Sequence, residues 1–209
     1  MTVDPAAFLQ ATGTLPFHGG GSGAGAAPPG HPFFGAMFLF IGSILVVELL
    51  AGPVWRRHRA LVMLWPLALL IVGLGLLLVT NVQETEKSLH VTLAVLFLAG
   101  SYTEFQFRSG RITRYAADAF AVPALIVGGF VIGPMHPNGP ILYSTMAQVH
   151  LLVATVCWVL AVIKLAEARL LNATSASLSF QTGLDYSFGV GVMALGFSLL
   201  LVQQFHGAH

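Results

Sequence analysis

Long apolar runs separated by short polar breaks set the pattern of this chain. Six runs stand out: about Phe33 to Gly52, Ala60 to Val82, Thr85 to Phe105, Ala116 to Pro134, Ile141 to Ile163 and Tyr186 to Gln203. A helix crosses the hydrocarbon core with about 20 apolar residues, so each run suffices for one crossing. A membrane β-barrel would instead show alternating segments of ~10 residues. The pattern predicts an all-α, polytopic transmembrane bundle of six spans. Pro66 and Pro123 fall inside spans two and four and are expected to kink them.

Residues 1–30 lack the basic and apolar regions of a secretory signal and are rich in Gly, Ala and Pro. They are expected to form a flexible outer arm, with residues 31–209 as the six-span domain. The segment from Glu167 to Asp185 carries Ser, Thr and Asn and reads as a loop or an interfacial helix.

Composition agrees with a bilayer as the solvent. Only 8% of the 209 residues are charged and 56% are hydrophobic, with a mean hydropathy of +0.83. Soluble domains carry ~25% charged residues to wet their surface. A soluble enzyme, a nucleic-acid binder and a disordered protein are thereby excluded. The lipid bilayer is the expected partner, other membrane subunits are candidates, and nucleic acid is not. A composition rich in Ala, Val, Leu and Gly, with short loops, points to a bacterial inner membrane.

Charge then orients the bundle. Arg56, Arg57, Arg59, Arg108, Arg111, Arg114, Lys164 and Arg169 all fall on one side of a six-span arrangement, and only Lys87 falls on the other. By the positive-inside rule the Arg-rich side is cytoplasmic and both termini lie outside.

The eight histidines distribute the opposite way. His31 stands at the outer mouth of span one, His90 just inside the outer end of span three, and His136 just beyond span four. His150 lies about 13 Å below the outer end of span five at 1.5 Å per residue, and His206 closes span six. His18 and His209 belong to outer tails, and only His58 is cytoplasmic. Ionisable rings inside hydrocarbon are costly and mark functional sites. His150 and His90 meet that description best.

Imidazole is the commonest ligand for zinc, copper, nickel and iron. An outer-leaflet cluster of His31, His90, His136, His150 and His206 is therefore expected to bind a transition metal ion. Met146 shares a helical face with His150 and Met135 adjoins His136, so copper is favoured over zinc. A second reading makes His90 and His150 the axial ligands of a b-type haem that passes electrons at the outer face. A transmembrane di-haem arrangement would need a second pair at the inner level, where the chain has none. A third reading is a non-catalytic subunit whose histidines only form hydrogen bonds.

The single cysteine, Cys157, excludes a disulfide framework and a Cys-based zinc site. Glu104, Asp118 and Glu167 lie near the cytoplasmic interface, where Arg108, Arg111, Arg114 and Arg169 are expected to pair with them. Glu48 has no basic neighbour on its own helix, so it is either protonated or faces another span. No phosphate loop, dinucleotide fingerprint, HExxH or GxSxG motif is present, and whether the protein is an enzyme stays open.

Two stretches carry a family resemblance: GHPFFGAMFLFIGSIL at residues 30–45, and residues 118–171, DAFAVPALIVGGFVIGPMHPNGPILYSTMAQVHLLVATVCWVLAVIKLAEARLL. Over roughly residues 30–170 the chain resembles the transmembrane-protein-45-like family, multi-span proteins of unknown function. His136, His150 and Glu167 match its pattern, while Gln148 stands where the family has the first histidine of a His-x-His pair. The family has seven spans against the six read here. The resemblance implies that His31, His90, His136 and His150 recur as a set, and it implies no activity.

Overall fold

The computed structural model describes residues 30–78, 84–133, 145–171 and 178–206. All the secondary structure among them is helical. Six longer helices are α1 (Gly30–Ala51), α4 (Leu64–Leu78), α5 (Glu84–Arg108), α6 (Arg114–Ile132), α7 (Thr145–Leu171) and α8 (Leu178–His206). Two short helices, α2 (Pro53–Arg57) and α3 (Arg59–Val62), link α1 to α4.

Local chemistry sets the ends. Gly52 follows α1 with a φ of 51° and Pro53 opens α2, the place where a missing N–H costs nothing. Thr113 caps α6, its Oγ1 accepting from the Ala116 N–H at 3.3 Å. Between α5 and α6, Gly110 takes a φ of 74°, and the Arg111 N–H donates to the Gln106 carbonyl at 2.9 Å. That left-handed glycine lets α5 stop and the chain reverse within a few residues.

Four helical stretches are long and apolar enough to cross a membrane: Pro32–Ala51, Arg114–Ile132, His150–Arg169 and Phe180–Leu201. These answer to expected spans one, four, five and six. Expected span two breaks into α3 and the 15-residue α4, about 22 Å long at 1.5 Å per residue. Expected span three is α5, whose 25 residues include Glu84, Glu86, Lys87, Glu104 and Arg108.

Two other expectations are revised. The helices reach further into the Glu167 to Asp185 connection than its polar composition suggested, because α7 runs to Leu171 and α8 starts at Leu178. Pro66 is the third residue of α4, in a first turn that has no intrahelical N–H bond to lose. Pro123 is inside α6 as expected. The expected N-terminal arm lies outside the described residues, Gly30 excepted.

The six longer helices close into a ring, in the order α1, α4, α5, α6, α7, α8 and back to α1. The most extensive contact joins α1 to α8. A Cβ added at Gly196 would come within 2.6 Å of the Gly35 carbonyl oxygen, and one at Gly42 within 2.7 Å of the Gly189 carbonyl oxygen. Glycine at these crossings lets the two backbones touch, a packing mode that membrane bundles favour. Across α4 and α5, the Ser101 hydroxyl donates to the Pro66 carbonyl at 2.7 Å. Trp158 on α7 donates from Nε1 to the Ile126 carbonyl of α6 at 3.3 Å.

Ile41, Val72, Val153 and Leu160 are fully buried between the helices. The outward surface is apolar as well: Leu78 is 77% exposed, Val162 65% and Phe197 58%. Helices that are apolar all round belong in a large protein core or in lipid, and here the apolar exterior faces out of the bundle.

Candidate functional site

Inside the ring lies a cavity of about 850 Å³, lined by residues of all six longer helices. Its middle is apolar, with Phe38, Leu69, Val72, Leu93, Val153 and Leu160 on its walls. Its two ends differ in chemistry.

One end carries imidazoles. His90 on α5 and His150 on α7 both line the cavity, and His150 is buried at 5% exposure. Between α5 and α7 in the ring stands α6, and a Cβ added at Gly133, its C-cap, would meet the His150 carbonyl oxygen at 3.9 Å. The two rings thus belong to helices on either side of α6 and share one compartment. Of the other expected ligands, His31 and His206 are in α1 and α8, with side chains outside the described residues, as is the whole of His136. Among the described residues, no group of three or more His, Cys, Asp or Glu side chains is arranged to hold a metal ion.

The other end is ionic. His90 precedes Arg108 on α5 by about 27 Å of helix rise, and His150 precedes Lys164 on α7 by about 21 Å. Arg108 crosses to Glu48 of α1 through two contacts of 3.0 Å. It also meets Glu104 at 3.3 Å and donates to the Val62 carbonyl at 3.0 Å. Glu48 therefore faces another helix and is paired there. The partner is out of reach of single-helix reasoning, being 60 positions away in sequence.

A second ionic group joins α6, α7 and α8. Arg114 contacts Asp118 at 3.7 Å, Glu167 at 3.2 Å and also Asp185. Lys164 contacts Asp118 at 3.3 Å and Glu167 at 2.7 Å, and its ammonium sits 4.3 Å from the centre of the Phe188 ring. Asp118 and Glu167 are almost wholly buried, each with 4% side-chain exposure.

The expected pairing of the inner carboxylates is found, with different partners in part. Lys164 and Arg114 both contact Asp118 and Glu167, and Arg111 instead bonds the Gln106 side chain at 3.3 Å. Sequence reasoning had used Lys164 only as a marker of sidedness, and Asp185 only as the end of a connection. Opposite charges at one membrane level, at the ends of apolar runs, were the signal available for both.

No family model matches the chain, and neither a curated protein nor a solved structure is found to resemble it.

Proposed function

We propose that the chain is a six-span protein of a bacterial inner membrane, with both termini outside, that holds a transition metal centre at the outer end of its internal cavity. The observation that carries this reading is that His90 and His150, from helices separated by α6, line one compartment. Their imidazoles serve as the core ligands, and His31, His136 and His206 complete the shell. Copper suits a site where thioethers lie beside imidazoles. Membership of the transmembrane-protein-45-like family is part of the same proposal.

The size of the cavity favours a second reading alongside the first. About 850 Å³ matches the few hundred to ~1,000 Å³ of sites that enclose whole organic molecules. A b-type haem held between His90 and His150 would use that space, whereas a bare ion would not.

One preparation of detergent-purified protein separates the readings. Elemental analysis is expected to give stoichiometric copper or zinc, lost in His150→Ala and reduced in His90→Ala. A Soret band in the visible spectrum, lost in both variants, would replace the ion by haem. Protein that carries neither group after expression with both supplied would overturn the proposal and favour a non-catalytic subunit.

A further inference from the structure

The cavity inside the ring is long. His90 and Arg108 both line it from α5, about 27 Å apart in helix rise. Between these levels its wall is made of apolar side chains from four helices, among them Phe38, Val72, Leu93 and Val153. Apolar walls hold water poorly, and a volume of about 850 Å³ is that of sites enclosing whole organic molecules. A long apolar space of this kind suits a hydrocarbon chain.

The inner end says what head such a chain would carry. Three of the cations that line it are committed to carboxylates: Arg108 to Glu48 and Glu104, and Arg114 and Lys164 to Asp118 and Glu167. The fourth is Arg56 of α2. Its guanidinium takes part in no ion pair or side-chain hydrogen bond among the described residues, and it is exposed. A side chain that lines the cavity and also meets solvent stands at its mouth. The contact between α1 and α4, which α2 and α3 bridge, is the least extensive around the ring. A molecule dissolved in the bilayer therefore meets the loosest seam beside Arg56.

We propose that the cavity binds a single-chain amphiphile with an anionic head, a long-chain carboxylate, whose chain lies along the apolar middle and whose head pairs with Arg56. The planar fork of a guanidinium matches a carboxylate with two parallel bonds. A cationic head would be repelled by Arg56, and a neutral one would gain little from it. Glu48, Glu104, Asp118 and Asp185 also line this end, but each already faces a cation of the protein, so the incoming head breaks no existing pair. The site goes beyond the metal centre and does not rest on it, because the imidazoles take no part.

Trp65 lines the cavity and is buried at 7% exposure, so its fluorescence reports on an occupant. The test uses the full chain in detergent with Trp55→Phe and Trp158→Phe, at alkaline pH where the ligand head is ionised. Brominated stearate is expected to quench Trp65 saturably, and plain stearate to reverse the quenching. Stearyl alcohol should compete about fivefold less well, the upper range for an exposed ion pair, and Arg56→Gln should bring the two ligands level. Val153→Phe and Leu93→Phe each fill the middle and should weaken quenching at least about tenfold, with thermal unfolding checking that both variants are folded. Chelator-treated protein should bind as before, so a failed metal centre leaves this result readable. Quenching without saturation, an alcohol that competes as well as the acid in the parent protein, or saturation that survives in both filled variants would overturn the proposal. So would saturable quenching by brominated phosphatidylcholine that stearate does not displace, which would give the cavity to a bilayer lipid, or a Soret band in the same preparation, which would give it to haem.

Discussion

Arg108 of α5 grips Glu48 of α1 with two guanidinium nitrogens, each 3.0 Å from a different carboxylate oxygen. The side chains are only 10% and 17% exposed, and parallel bonds of this kind fit the planar fork of arginine. The same guanidinium reaches the last carbonyl of α3, so one residue ties three helical segments together. Arg108→Ala leaves the half-buried Glu48 unpaired, and is expected to cost about 1–3 kcal/mol of stability. Arg108→Lys should cost less, and Arg108→Ala combined with Glu48→Gln should recover part of the loss. Denaturant titration in detergent, read by circular dichroism, measures all three.

Close backbone approach between α1 and α8 makes a sharp prediction about methyl groups. Gly196→Ala puts a Cβ against backbone atoms of Gly35 and Leu39 that cannot turn aside, and should destabilise by about 1–3 kcal/mol. Gly183→Ala, on the same helix, meets nothing within 4 Å and should be neutral, or stabilising by up to about 1 kcal/mol. Equal effects at the two sites in the same titration would refute the packing account.

Ser101→Ala removes a hydrogen bond of 2.7 Å between α5 and the first turn of α4. Interhelical bonds of this kind in membrane proteins average about 0.6 kcal/mol, so a small loss is expected. A loss several times larger would mean that the hydroxyl also supports the α4 entry around Pro66.

Cys157 is 5% exposed and is expected to resist maleimide until the bundle unfolds. In a Cys157→Ser background, single cysteines test the orientation. Lys87→Cys should react with a membrane-impermeant maleimide on intact cells, whereas Arg57→Cys and Arg111→Cys should react only after lysis. Reversed labelling would invert the proposed topology.

The four helices long and apolar enough to cross a membrane were legible because their apolar content is nearly continuous, and expected span one corresponds closely to α1. That same continuity hid the inward faces. Helices apolar on every side carry no periodic stripe to say which residue meets which neighbour. His90 and His150 were singled out by depth alone, and the fold then set both on one cavity. Lys164, Arg114 and Asp185 were visible as charges but not as partners, since their pairing depends on the rotation of three helices about their own axes. Expected span two, whose residues 79–82 lie outside the described ones, is interrupted near its start for a local reason. His58 is extended at the C-cap of α2, Met63 closes α3, and a hydropathy run does not register such turns.

The closure of the ring sets an order of assembly. The tightest seam in the bundle joins the first described helix to the last, with Gly42 against Gly189 and Gly35 against Gly196. While the chain is being synthesised, α1 has only α4 to lean on, and its glycine face stays open to lipid until α8 emerges. At ~5–20 residues per second, that wait lasts on the order of ten seconds. A chain shortened before Leu178 would therefore insert several helices and still leave the vestibule between them unsealed along its whole length.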